Sequence, residues 1–121
     1  MEKKEQPIVS VVIPAYNNEN TIEATLRSVM EQRYKNLEIV VIDDNSTDNT
    51  LHILETLQKQ DERIKIFHND TNLGMTGNWN RCLKEAEGEF IKLVCADDLL
   101  DKAEIAKETE AMISNPSVNL V

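Results

Sequence analysis

Leu37-Glu38-Ile39-Val40-Val41-Ile42-Asp43-Asp44-Asn45-Ser46-Thr47-Asp48 is the stretch from which the fold can be read. Its first half is rich in Val and Ile, and its second half is wholly polar. A short apolar run of this kind reads as a strand covered on both faces, which is the setting of a parallel sheet. The polar half ends the strand and offers N-cap residues to a helix carrying Leu51, Leu54 and Leu57 on one face. A strand that runs directly into a helix is half of a βαβ unit.

The unit recurs on both sides. Upstream, Ile8-Val9-Ser10-Val11-Val12-Ile13 is a β-branched strand that Pro14 is expected to stop. Asn17-Asn18-Glu19-Asn20 supplies turn residues, and Asn20 with Glu23 resembles a capping box. The helix after it places Ile22, Leu26, Val29 and Met30 on one stripe. Downstream, Ile64 to Phe67 reads as a third strand and His68 to Gly74 as a loop. A third helix from about Thr76 to Ala86 is expected to end at Gly88, a C-cap signal. Phe90 to Val94 is a fourth strand, followed by the loop Ala96-Asp97-Asp98. A fourth helix runs from about Lys102 to Ser114 and is stopped by Asn115-Pro116, after which Val118 to Val121 reads as the start of a fifth strand. This alternation specifies an α/β fold with a mostly parallel sheet flanked by helices. Right-handed crossovers bring the carboxyl ends of parallel strands to one edge, where open α/β sheets bind ligands. Tyr16-Asn17, Asp43 to Ser46, Asn72-Leu73-Gly74 and Ala96-Asp97-Asp98 should therefore line one crevice.

Composition narrows the ligand. At 121 residues the chain suits one domain, read as residues 8–121 behind a polar leader, 1–7. Its net charge of −9 disfavours nucleic acid, whose binding rests on Lys and Arg. An acidic protein that holds a phosphorylated ligand needs local backbone donors or a metal. Two acidic pairs on one edge point to a divalent cation, and oxygen ligands favour Mg²⁺ or Mn²⁺. With three glycines, Gly74, Gly77 and Gly88, neither G-x-G-x-x-G nor a P-loop is present. The chain shows neither a membrane span nor a secretory signal, so a cytoplasmic setting is expected, with membrane association left to a longer protein. Cys82 and Cys95 read as free thiols, Cys95 in the core; Trp79 reads as a packing residue; His52 and His68 read as surface residues without chemistry.

The motifs, taken in order, resemble those of family 2 glycosyltransferases. Val9 to Asn17 is similar to their opening strand and loop, and Ile39 to Asp48 to their second-strand motif, with Asn45 where Gly is commoner. Asn72-Leu73-Gly74, Ala86 to Ile91 and Asp97-Asp98 complete the series. The resemblance implies a Rossmann-like GT-A fold and a nucleotide-diphosphate-sugar donor, often a UDP-sugar. It assigns Pro14, Ala15 and Tyr16 to the wall against the base, with Asn17 beside them, and Asp44 to the uracil ring N–H. Gly74 would allow close approach to the nucleotide. Asp97 would contact ribose or sugar, and Asp98 would hold Mg²⁺ or Mn²⁺, which acts as a Lewis acid on the departing diphosphate. Cys95 stands where many relatives carry Asp. The implied activity is inverting transfer of a sugar to a hydroxyl on a glycan or lipid-linked acceptor, with a general base expected beyond Val121. The chain would then be the incomplete donor half of such an enzyme, and an unfinished sheet edge makes a homodimer a candidate assembly.

Two other functions compete. A phosphoacceptor receiver domain would carry acidic residues after the first strand and an Asp after the third, whereas Tyr16-Asn17 and His68-Asn69-Asp70 stand there. A non-catalytic nucleotide-binding module is the other.

Overall fold

The β-branched runs do form the centre of the molecule. The computed structural model describes residues 6–114. In chain order it contains β1 (Val9–Ala15), α1 (Ile22–Met30), β2 (Leu37–Asp43), α2 (Thr50–Gln58), β3 (Ile64–His68), α3 (Gly74–Glu85), β4 (Phe90–Leu93) and α4 (Glu104–Ser114). The expected fifth strand and the Asn115-Pro116 stop lie outside the described residues. The strands form one sheet in the order β3-β2-β1-β4, and every pairing is parallel.

Strand alternation divides the side chains between two cores. Val9, Val11, Ile13 and Ala15 of β1 join Ile39 and Val41 of β2 against Ile22, Leu26 and Val29 of α1 and Leu54 and Leu57 of α2. Ile105 of α4 belongs to the same cluster. On the opposite face Val12, Val40 and Ile42 meet Cys82 of α3. The molecule thus has three layers, with α1, α2 and α4 on one side of the sheet and α3 on the other.

Three local expectations are corrected. β1 does not stop at Pro14 but runs through it, with Pro14 paired to Ile42. The Val12 carbonyl accepts from the Val94 amide, so the backbone N–H and C=O groups at even positions of β1 face β4. β4 ends its pairing at Leu93, opposite Val12. The missing N–H of Pro14 therefore faces a side with no partner, and the strand loses nothing there. The Asn20–Glu23 capping box is not formed. Thr21 sits at the N-cap without a side-chain cap bond, and Glu23 pairs with Arg27 at 2.9 Å. Nor does Gly88 cap α3, whose C-cap is Ala86 in extended conformation. Its role is spatial. A Cβ there would stand 2.6 Å from Ser10 Oγ and 2.7 Å from the Ile8 carbonyl oxygen. Gly88 lets the chain press against β1 as it enters β4, and its amide donates to Ser10 Oγ at 2.7 Å.

Candidate functional site

The carboxyl ends of β1, β2 and β4 open into a cleft of about 590 Å³, lined among others by Pro14, Tyr16, Asp44, Gly74, Trp79 and Asp97. All four polar segments named from the sequence contribute to it: Tyr16 after β1, Asp44 after β2, Asn72 and Gly74 before α3, and Ala96 and Asp97 after β4.

Asp43 and Asp44 divide their work by parity. Asp43 closes β2 on the α1 and α2 side, has no exposed surface, and accepts from the Ser46 amide at 3.2 Å and the Ser46 hydroxyl. His68 Nδ1 lies 2.9 Å from Asp43 Oδ2, the oxygen that also accepts from the Ser46 amide. Asp43 is thus spent on the turn. Asp44, one residue on, faces α3. Its Oδ1 accepts from the Leu73 amide and from Asn69 Nδ2, both at 2.8 Å, and its Oδ2 accepts from the Gly74 amide at 3.0 Å. Asp44 therefore satisfies the first amides of α3, a helix end that favours negative charge. The polar cluster after β2 caps α3 across space, not only the helix that follows it in sequence. Cap bonds to α2 come from Asp48, whose Oδ1 accepts from the Thr50 amide at 2.9 Å and the Thr50 hydroxyl at 2.6 Å.

Backbone geometry explains three residue choices. Asn45 has φ +61° and Asn17 φ +51°, in the left-handed region that Asn tolerates better than most residues. Gly74 has φ +77°, and a Cβ built there would meet nothing within 4 Å. Conformation, not crowding, demands the glycine. Asn17 does not line the cleft. Its amide donates to Ser46 Oγ at 2.9 Å and its Oδ1 accepts from the Thr47 amide at 2.8 Å, tying the β1 loop to the β2 loop. Asn18 lines the cleft instead, with its Oδ1 accepting from the Tyr16 amide at 2.8 Å.

After β4 the chain carries an acidic cluster. Ligand atoms of Cys95, Asp97 and Asp98 all lie within 4.8 Å of one another, and all three residues are exposed. Asp98 lies outside the cleft lining but belongs to this cluster. The expectation that Cys95 is core is overturned: past the end of β4 at Leu93, Cys95 faces outward while its neighbours Val94 and Ala96 stay buried. Burial and then the Asp98 and Asp97 carboxylates push the Cys95 thiol above its ordinary value. A thiol is a soft donor and a weak ligand for Mg²⁺ or Mn²⁺. Two hard carboxylates remain, which suits Mg²⁺ or Mn²⁺. The donor set therefore fits the expected cation.

A polar stripe on α1 holds this loop. Thr21 and Thr25 both donate to the Ala96 carbonyl at 3.0 Å, and Ser28 Oγ accepts from the Leu100 amide at 3.1 Å. Gln32 donates to the Asp101 carbonyl at 2.6 Å and accepts from the Ile105 amide at 3.1 Å. Spacing by three and four residues puts these groups on one face of the helical segment. Sequence reading missed this stripe because polar residues at helical spacing look like a solvated face. It also missed Asn78 and Trp79, which line the cleft from α3. A Trp between polar residues carries no signal of which way its ring faces. Asn78 is 2% exposed and its Nδ2 donates to the Ile42 carbonyl at 3.1 Å.

Comparison with known proteins agrees with this geometry. The family model for glycosyl transferase family 2 matches residues 10–121. An Escherichia coli protein named UDP-Glc:alpha-D-GlcNAc-diphosphoundecaprenol beta-1,3-glucosyltransferase is 38% identical over 108 residues, covering 89% of this chain and 42% of its own length. Staphylococcus aureus TarS, crystallised as residues 1–349 with UDP, superposes with a TM-score of 0.82 at 35% identity, covering 89% of this chain and 32% of that one. A mannosyltransferase from Pyrobaculum calidifontis in complex with GDP-Man and Mn²⁺ gives a TM-score of 0.87 at 28% identity, covering 94% and 34%. The chain thus spans less than half the length of each.

Proposed function

This chain belongs to glycosyl transferase family 2, and from that premise we propose that its cleft binds the nucleotide-diphosphate-sugar donor, a UDP-sugar, of an inverting transferase that builds a glycan. The carrying observation is that Asp44 and Asp97, from loops after different strands, line one cleft beside the Cys95, Asp97 and Asp98 cluster.

The assignments follow from what each group has left to offer. Asp44 accepts three hydrogen bonds, and a carboxylate has about four lone-pair sites, so Oδ2 keeps one for a ring N–H. Pro14, Ala15 and Tyr16 flank the base, and the half-exposed Tyr16 ring supplies a flat apolar surface. Asp97 reaches the ribose or the sugar. Asp98, with Asp97, holds Mg²⁺ or Mn²⁺, which when bound offsets the charge of the diphosphate as it departs. The TarS complex with UDP supports a uridine nucleotide, and the archaeal complex with Mn²⁺ supports the cation. The lipid diphosphate in the E. coli relative's name supports a hydroxyl of a lipid-linked glycan as acceptor. In the transfer, the acceptor oxygen bonds to the anomeric carbon as the bond to the diphosphate breaks, and a base takes the hydroxyl proton. Asp44 is occupied and Asp97 and Asp98 are given to donor and cation. The base is assigned, as the resemblance implies, beyond Val121.

Titration calorimetry and thermal melting test the reading. UDP with Mn²⁺ should raise Tm, since a ligand at a hundredfold its Kd adds about 2.7 kcal/mol to stability. Asp44→Asn, which offers the ring N–H a mixed donor and acceptor, should weaken UDP by about tenfold. No binding of UDP, GDP or their sugars with Mn²⁺ would overturn the reading.

A further inference from the structure

The turn after β4 sets a donor of a different kind beside its two carboxylates. The Val94 amide still bonds to the Val12 carbonyl, so strand alternation continues past Leu93. Val94 and Ala96 are 2% and 5% exposed and join the core on the α1 side. Cys95, between them, is sent to the other side, where it lines the cleft. The Asp98 amide donates to the Cys95 carbonyl at 3.0 Å and closes a turn over residues 95–98. Thr21 and Thr25 fasten that turn to the α1 side of the sheet through the Ala96 carbonyl. The Cys95 sulfur and the Asp97 and Asp98 carboxylates are thereby gathered within 4.8 Å of one another. Among the described residues no ion pair engages either carboxylate. Asp101, further along, is by contrast spent on the Ala103 amide.

The three donors differ in softness. Carboxylate oxygens are hard and suit Mg²⁺ and Mn²⁺, whereas thiolate sulfur is soft and favours Zn²⁺. Mg²⁺ is bound through oxygen and gains nothing from the sulfur. Two bonds of about 2.0–2.3 Å to one ion span up to about 4.5 Å, so small rotations of exposed side chains bring all three donors onto a single Zn²⁺. Three protein ligands leave a position open for an oxygen of a diphosphate. As the sulfur–metal bond forms, the thiol proton passes to solvent and no electron is transferred. We propose that Cys95 makes this turn a mixed thiolate and carboxylate site that takes a thiophilic divalent ion, Zn²⁺, ahead of Mg²⁺ and without nucleotide. The inference rests on the reading that Asp97 and Asp98 hold the donor's cation, and it goes beyond that reading in the identity of the ion.

Cd²⁺ is the probe, because its bond to a thiolate gives an ultraviolet charge-transfer band that carboxylates do not give. The full chain, stripped of metal and kept reduced, is titrated with Cd²⁺ in a large excess of Mg²⁺ and without nucleotide. The band should rise and saturate at one ion per chain. Cys95→Ser should abolish it and weaken Zn²⁺, measured by calorimetry, by at least about tenfold, since even changes behind metal ligands cost this much. Its affinity for Mg²⁺ should stay the same. Asp98→Asn keeps the thiol and should shift the Cd²⁺ titration by at least about fivefold. Both side chains are exposed, so neither variant opens the core, and melting curves in chelator check that the fold is kept. A band that survives Cys95→Ser places the sulfur at Cys82 and overturns the proposal. So does an unshifted titration of Asp98→Asn, which makes Cys95 a solitary thiol, and so does displacement of Cd²⁺ by the Mg²⁺. The donor reading fails separately, by absence of UDP binding with Mn²⁺, which the nucleotide-free band does not report.

Discussion

Two glycines and two cysteines show how differently one residue type can be used. Gly74 is required by its positive φ, and Gly88 by the atoms against it. Gly74→Ala should cost about 1 kcal/mol, the penalty of a Cβ in left-handed backbone. Gly88→Ala should cost more, about 1–3 kcal/mol, because backbone atoms of Ile8 and Ser10 cannot move aside. Urea unfolding of both variants checks the order, and equal losses would refute the distinction. Cys82 has no exposed surface, and burial pushes its thiol up to about 12. Cys95 is exposed and lines the cleft. A maleimide should therefore add a single label to the native protein, at Cys95, and UDP with Mn²⁺ should slow it. Rapid double labelling, or labelling indifferent to nucleotide, would contradict this placement.

At the scale of elements, polar side chains inside the fold fasten loops to the sheet. Gln32, two residues past α1, has no exposed surface and holds both the Asp101 carbonyl and the Ile105 amide. Gln32→Leu should destabilise the fold by about 1–3 kcal/mol, the cost of buried groups left unpaired. Amide exchange at Ile105 should accelerate more than at the strands; a uniform change would point to a global effect instead. Glu38 on β2 fastens the connection from α3 to β4. Burial raises its carboxyl, but Lys65, the Glu87 amide and Ser10 outweigh it and hold it below its ordinary value. A carboxyl lowered in the folded state stabilises fully above the unfolded value of 4.5 and loses that stabilisation as pH falls through the folded value. The unfolding free energy of the parent should therefore drop more steeply below about pH 4.5 than that of Glu38→Gln. Parallel curves would remove Glu38 from the account.

For the whole molecule, net charge sets the terms on which an anionic donor can bind. At −9 the protein repels a diphosphate, and the cleft itself adds Asp44 and Asp97. A divalent ion should therefore matter to UDP and not to uridine, which lacks phosphate. EDTA is expected to weaken UDP by more than about tenfold, or 1.4 kcal/mol, and to leave uridine unchanged; equal effects on both would separate the cation from the phosphates. Among the described residues no helix is long and apolar enough to cross a membrane. Periodicity and strand-end chemistry in the sequence were enough for the α/β class, the parallel sheet and the meeting of the four loops, because each depends on local pattern and on crossover handedness. The resemblance places Asn45 where glycine is commoner, and its positive φ explains that position. Partnerships across space were not legible. That Asp44 caps α3 while Asp43 serves its own turn depends on which face of the sheet each residue meets. That Thr25 and Gln32 turn inward, Cys95 outward and Asn69 toward Asp44 depends on how the layers stack. Local sequence sets what each residue can donate or accept, and only the packed chain determines which partner is within reach.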